Sequence, residues 1–516
     1  MPVTPSRILM LTLLLFTCLS SWSTPPKDKS SVIVIGAGLT GLSAAIELQK
    51  SGLLVTVLEA SAHTGKPVYS FTSDFIQADT DVKNMPSDEL LNEEVHEQIH
   101  GQIHGYLALL GLQVTDTASP DTDEYAISSK PMAANTAIDS LQSHYYLNGK
   151  LISFQDLSQV FAQHISPDYQ RFWLAFNQLT QRQVAKLETE VKAQRKKAQP
   201  YSIQLSPPLS TQDWLNSLNL HPAALMLAKH HLEAIYDKSS QLSLLSLARV
   251  QGSRNHERDR QAQVRRIVGG DSLMANVLAT KLTKPVLLNH KITSIKHTKT
   301  GVVVKAGGKI FRAQQLLISQ ALPKLAQLNI SPVLPADILS SSQHLNYGAY
   351  NKVLLQYQSG FMALVNASSS HELPMGWNRV QTHDANALSN TLTTYTSGGF
   401  IDGQSYISTE HIIAIKRAQL AAKFPGIDKL FISASVQAWH REPWPGGHYI
   451  SYQAKEINHY WDNFKLPVRN IYFASGQRDS LYPGSFSGAA RAGVQAAQAM
   501  SQHAYMNSNS SLASGY

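Results

Sequence analysis

The sequence predicts an α/β fold of more than one domain, and three observations predict it. Residues 31–59 read as a strand, a glycine turn, a helix and a second strand; residues 151–265 are almost all helical and Gln-rich; short strands return from 266 to 318, with a last strand, loop and helix at 471–500. At 516 residues the chain is too long for one compact core. The implied architecture is a Rossmann-like dinucleotide-binding domain assembled from separated segments, joined to a mixed α+β domain that carries the helical insert.

The first unit carries the chemistry. Val32-Ile33-Val34-Ile35 is an unbroken β-branched run, as expected of a parallel strand buried on both faces. Gly36-Ala37-Gly38-Leu39-Thr40-Gly41 follows, then helical spacing to Lys50 with Gly52 placed as a stop, then Val55-Thr56-Val57-Leu58 ending at Glu59. In this setting Gly36 permits a tight turn, Gly38 lets backbone approach a pyrophosphate, and Gly41 lets helix and strand pack closely. The N–H groups of the first helical turn, at Leu39 and Thr40, face the phosphates, and Glu59 can accept both ribose hydroxyls. The unit specifies an ADP moiety without separating FAD from NAD. A second strand-to-helix unit separates them: Gly476-Gln477-Arg478 leaves a strand, and Gly484-Ser485-Phe486-Ser487-Gly488-Ala489 opens a helix. Two helix N-termini from opposite ends of the chain suit a long ligand such as FAD.

Composition narrows the partners. The net charge of +8 and pI near 9.2 come from Lys, Arg and many His without a basic block long enough to argue for nucleic acid, and the run Lys192-Ala193-Gln194-Arg195-Lys196-Lys197 reads as a solvated helix face, so nucleic acid is not expected. Residues 1–23 have the order of an export signal: Arg7, an apolar core over 8–19, then Ser21-Trp22-Ser23. The expected location is therefore periplasmic or secreted. Cys18, the sole cysteine, lies inside that segment, and cleavage would remove disulfides, thiolate catalysis and a cysteinyl cofactor bond together. No segment is expected to span a membrane.

The remaining elements read in order. A strand is expected at 68–76 and a helix over 88–110, where His96, His100 and His104 form an i, i+4 stripe taken as a packed or solvated face rather than a metal site. Ser210-Thr211-Gln212-Asp213 is a capping signal before Trp214. A helix should run from Asp271 to Leu282, followed by short strands at 286–288, 292–295, 301–306, 310–313 and 316–318. Lys352 to Tyr357 alternates, 471–474 is a buried strand, 488–500 an Ala-rich helix, and 501–516 a polar, frayed end.

These motifs, in this order, resemble the flavin-containing amine oxidoreductases, the family of monoamine, polyamine and L-amino-acid oxidases. Val32 to Glu59-Ala60 resembles the family's FAD fingerprint, and Arg266-Ile267-Val268-Gly269-Gly270-Asp271 its central Gly-Gly segment. The strand at Asn351-Lys352-Val353, the stretch from Trp439 to Tyr449 and the stretch from Tyr472 to Ala497 resemble its later motifs. The resemblance divides the chain into an FAD domain (31–90, 265–330, 465–502), a substrate domain (91–264, 331–464) and a flexible tail (503–516). It implies that Ile292 presents its backbone to the adenine, that Lys352 holds a water against flavin N5, and that Trp439 and Tyr449 form the wall beside the ring. Gly65, Lys66, Gly476, Gln477, Ser485, Phe486, Ser487 and Ala489 fall at cofactor positions. The implied reaction is oxidation of a C–N bond of a small-molecule amine or amino acid, with oxygen as acceptor. Departures are visible. The arginines usual after the acidic residue are His63 and Gly65-Lys66-Pro67, a usual glutamate is Gln477, and an aromatic of the last glycine loop is Ser485. His448 stands where some members hold flavin through cysteine, which leaves a histidyl bond or a plain pocket residue. Two other readings stay open: an FAD enzyme acting on a C–C bond of an apolar substrate, and a secreted family member with weakened FAD binding that works as a binding protein.

Overall fold

A computed structural model of the chain describes residues 31–65, 95–96, 114–116, 144–147, 150–153, 165–194, 209–235, 238–248, 251, 264–267, 271–319, 322–347, 350–358, 360–366, 378–379, 391–397, 407–438, 441, 450–452, 463–464, 466–479, 484 and 486–513. Strand β1 (Ser31–Ile35) is buried from Val32 onward and passes through Gly36 into helix α1 (Leu39–Lys50). Gly52, at φ +81°, turns the chain in the left-handed conformation that ends α1, and strand β2 (Leu54–Leu58) follows. The helical insert comprises α2 (Ile165–Gln194), α3 (Thr211–Ser217) and α4 (Pro222–Ile235). A full capping box starts α3: Ser210 Oγ accepts from the Asp213 N–H at 3.0 Å, and the Ser210 N–H donates to Asp213 Oδ2 at 3.3 Å. Phe172, Phe176 and Trp214 fill the insert's own core.

Helix α5 (Asp271–Thr280) packs in the same core as β1, α1 and β2. Strands β3 (Ile292–His297), β4 (Val302–Ala306) and β5 (Lys309–Ala313) form an antiparallel meander, β6 (Gln315–Ile318) is wholly buried, and β7 (Ile330–Ser331) pairs with β3. In a separate antiparallel sheet β8 (Tyr350–Tyr357) lies between β9 (Thr391–Ser397) and β10 (Phe431–Ala438), with helix α6 (Thr409–Lys423) packed on one face. Strand β11 (Ile471–Phe473) and helix α7 (Phe486–Ala513) close the chain.

Three separated segments build one parallel sheet, in the order β11-β6-β1-β2. Leu287 adds a parallel bridge to Leu58 at the outer edge. The strand order reverses between β1 and β6, which makes the carboxyl ends of those two strands the topological switch point where ligands of open α/β sheets bind. Helices α1, α5 and α7 bury one face of the sheet, and the meander covers the other.

Several expectations are corrected. Within the expected 88–110 helix, Val95–His96 is a strand paired with Val264–Ile267, whose other edge takes Val114–Asp116. Gly101 and Gly105 weaken a helix there, and the extended backbone of 264–267 supplies hydrogen-bonding partners on both its edges. His100, His104 and the 68–76 strand lie outside the described residues. The insert begins with a hairpin, His144–Leu147 against Lys150–Ser153, rather than a helix at Leu151. Residues 286–288 make one bridge instead of a strand, because Pro285 lacks a donor and Asn289, at φ 59°, turns the chain away. Helix α5 stops at Thr280, short of Leu282. The last helix starts at Phe486 and runs on to Ala513: no Gly or Pro interrupts 494–513, and a 2.7 Å hydrogen bond between Tyr472 Oη and His503 Nδ1 ties its later part to β11. Among the described residues no helix is long and apolar enough to cross a membrane.

Candidate active site

At the switch point the backbone is folded tightly on itself. The Gly36 N–H donates to Leu58 O at 2.8 Å, and Gly36 holds φ +100°. A Cβ on Gly41 would collide with the Gly36 carbonyl oxygen and lie 2.6 Å from Ser319 Oγ, so α1 rests directly on the turn. Ser319, which the motif analysis did not single out, follows β6 and donates from its hydroxyl to Ile35 O at 2.8 Å. Gly38 caps α1 without a side chain, and the first turn contains no acidic residue, so the N–H groups beyond Gly38, around the buried Leu39 and Thr40, and the positive dipole end are left for an anion.

Glu59 is held by backbone alone. Its Oε2 accepts from the Ala37 N–H at 2.7 Å and its Oε1 from the Ser61 N–H at 2.8 Å, which leaves lone pairs on both oxygens for a diol. Ala60 sits between these contacts. The Gly65 N–H donates to Ala37 O at 2.9 Å, folding the following loop back over the glycine turn. Lys66 lies outside the described residues. The His290 N–H donates to Glu59 O at 2.7 Å, which brings the start of β3, and with it Ile292, beside the acidic residue.

The second unit meets the first across the same end of the sheet. The Ala474 N–H donates to Ile318 O at 3.0 Å, and Gly476–Arg478 then makes a single 3-10 turn. The Gly484 N–H returns to Gly476 O at 3.0 Å, and a Cβ on Gly476 would lie 2.5 Å from Ala489 Cα. Asp479, nearly buried, takes the Arg491 Nε–H at 2.8 Å and so pins the loop to α7. Sequence reasoning missed both residues of that pair and Gly493, where an added Cβ would strike the Thr40 carbonyl oxygen. Only a glycine lets α7 cross α1 that closely. Gln477 is half-buried, Phe486 packs against the helix-side core, and Ser487 is buried with no partner for its Oγ among the described residues. Ser485 is not described.

Lys352 stands apart from these groups, in β8. It is 7% exposed and lies opposite Tyr395 on one side and Gln437 on the other. Val353, Leu355 and Tyr357 take the face under α6, so alternation puts Lys352, Leu354, Gln356 and Gln437 on the opposite face. All four are buried, and Ser433 Oγ donates to Gln356 Oε1 at 2.9 Å. Trp439, His448 and Tyr449 lie outside the described residues.

The described residues fit FAD. Two helix N-termini free of acidic first-turn residues, a carboxylate with spare acceptors and, among the described residues, a buried unpartnered hydroxyl at the start of α7 are the groups that a dinucleotide's phosphates and ribose require. The model of the flavin containing amine oxidoreductases matches residues 129–501, and that of an NAD(P)-binding Rossmann-like domain matches residues 34–92. The chain is 23% identical to an L-amino-acid oxidase of Mus musculus, over 93% of this chain and 74% of that protein. It is also 23% identical to an L-amino acid dehydrogenase of Synechocystis sp., over 92% of this chain and 95% of that one. Among solved structures, wild-type putrescine oxidase bound to putrescine superposes with a TM-score of 0.69 at 19% identity, and cyclohexylamine oxidase from Brevibacterium oxydans with 0.69 at 18%; each covers 92% of this chain and 99% of the other. With the family model spanning most of the chain and the dinucleotide cradle in place, the protein belongs to the flavin containing amine oxidoreductases and is an FAD-dependent oxidoreductase.

Proposed function

We propose that the protein oxidises the C–N bond of an amine or amino acid, with oxygen as electron acceptor. The observation that carries this reading is the buried Lys352 beside the buried Gln437, with Gln356 beyond Leu354 on the same face; buried polar groups of this kind suit a hydrogen-bonding substrate better than an apolar one. The residues that would hold FAD are Glu59 on the ribose, the turn from Gly36 through Gly41 on the pyrophosphate, with Gly65 and Lys66 assigned to the same group, and Ile292 at the adenine. Gly476, Gln477 and Ser485 to Ala489 would line the flavin end. Bound there, FAD would supply a two-electron acceptor for hydride from the substrate carbon.

The chain's own residues bind and orient. Trp439 and Tyr449 are assigned the apolar wall beside the ring, with His448 next to them, and Lys352 the ammonium that holds a water on the reacting side. A substrate entering as the neutral amine requires no strong base, which agrees with the absence of an acid-base pair in the motifs. The test is anaerobic mixing of the purified, FAD-loaded protein with amines and amino acids. Bleaching of the flavin absorbance, then peroxide release on admitting air, is the expected result. Bleaching by none of them, with turnover of an apolar polyene instead, would overturn it. We also assign residues 1–23 to export, tested by N-terminal sequencing of the protein recovered outside the cytoplasm; an intact Met1 there would refute it.

A further inference from the structure

Residues 272–336 contain eight Lys, one Arg and no Asp or Glu. Against a whole-chain net charge of +8, these nine cations leave the remainder at −1, so the chain's basicity resides in this one stretch. The fold spreads much of it over the outer surface of the β3-β4-β5 meander. The inner residues Ile295, Val302, Val304 and Ala306 are buried against the parallel sheet. The pairing register then sets two outward rows: Lys296, Val303 and Arg312 in one, Ser294, Lys305 and Ile310 in the other. Lys296, Lys305 and Arg312 are exposed, as are Lys299 in the turn after β3 and Lys309 at the start of β5. Among the described residues none of these five is in an ion pair. Ile310, an apolar side chain, is 52% exposed in their midst.

We propose that this face docks the protein on an anionic lipid surface. Adjacent strands are about 4.8 Å apart, so Lys296 and Arg312 are about 10 Å apart, with Lys305 on the diagonal between them. That spacing is about one Debye length at physiological salt, and the charges act on a plane of phosphates together. Ile310, with the half-buried Val303, adds what a lipid surface accepts and a soluble polyanion does not: an apolar group entering below the headgroups. A nucleic-acid platform would present an aromatic ring for base stacking, whereas Phe311 turns inward, edge-on to His290 at 5.7 Å.

The experiment uses the full FAD-loaded chain and sedimentation with vesicles of phosphatidylcholine alone, or with about one third phosphatidylglycerol, at about 0.1 M salt and at high salt. Binding to the anionic vesicles only, released by salt, is expected. The triple variant Lys296→Gln, Lys305→Gln, Arg312→Gln should weaken partition about a hundredfold, roughly fivefold for each cation. Ile310→Ser should weaken it several-fold without changing the salt dependence, and an unchanged flavin spectrum will show that each variant is folded. Equal binding to neutral vesicles, or no binding, overturns the proposal. So does binding to heparin or duplex DNA without vesicle binding, which would give the face to a soluble polyanion.

Discussion

Replacing Gly476 by Ala isolates crowding where the 476–478 turn meets α7, the region assigned above to the flavin end. Gly476 does not have a left-handed φ, so alanine brings no backbone strain. Its methyl, however, would lie 2.5 Å from Ala489 Cα and 2.7 Å from Ala489 N, both backbone atoms of α7. Ordinary contact needs about 3.4 Å or more, so the turn and the helix must separate by about 1 Å. An N–H to phosphate or carbonyl contact stretched from about 2.9 to about 3.9 Å is no longer a hydrogen bond. Losing one charge-assisted bond of about 1.5–3 kcal/mol predicts a 10- to 100-fold weaker FAD affinity, with apoprotein stability lowered by about 1–3 kcal/mol through overpacking. The assay is FAD titration of the apoprotein by flavin fluorescence, beside urea unfolding of the same sample. Gly52→Ala is the control: it forces a residue with a Cβ to φ +81° but meets nothing within 4 Å, so it should destabilise by about 1 kcal/mol and leave FAD affinity alone. Wild-type affinity in Gly476→Ala, or equal affinity losses in both variants, would refute the reasoning.

Glu59→Gln keeps the shape but can no longer accept from the Ala37 and Ser61 N–H groups with a charged carboxylate, and its FAD dissociation constant should rise about tenfold or more. Lys352→Met should slow flavin reduction or reoxidation about a hundredfold in stopped-flow absorbance while leaving the bound flavin spectrum in place; unchanged rates would remove its assigned role. Lys416, on the sheet-facing side of α6, is buried, and desolvation pulls its ammonium down to about 8 from 10.5. Between those pH values the unfolded chain binds more protons than the folded one, so stability should rise with pH from about 8 to about 10.5 by on the order of 3 kcal/mol and be lost again as pH falls. Urea midpoints across that window measure the rise, and Lys416→Met should abolish it.

What the chain shows as text is what neighbouring residues decide among themselves. The run from Val32 to Glu59 specifies β1, the glycine turn, α1 and β2 because burial pattern, turn chemistry and helix stop all act within thirty residues. The Ser210 to Asp213 capping box is local in the same way. The expected helix over 88–110 failed because Val95–His96 is decided by a partner strand beginning at Val264, a pairing that no local periodicity records.

The sequence by itself determined the dinucleotide unit, the family resemblance and the order of the cofactor segments, since each rests on residues close in the chain. Only the tertiary structure decided how those segments meet: Ser319 under the Gly36 turn, Arg491 on Asp479, Gly493 against Thr40, and Lys352 opposite Gln437 on the polar side of its sheet. It also decided that lysines scattered through the text share one outward face, because a two-residue strand period and an antiparallel register sort them to the side away from the core. Contacts between residues far apart in sequence depend on the packing of whole elements, and a linear pattern carries no record of it.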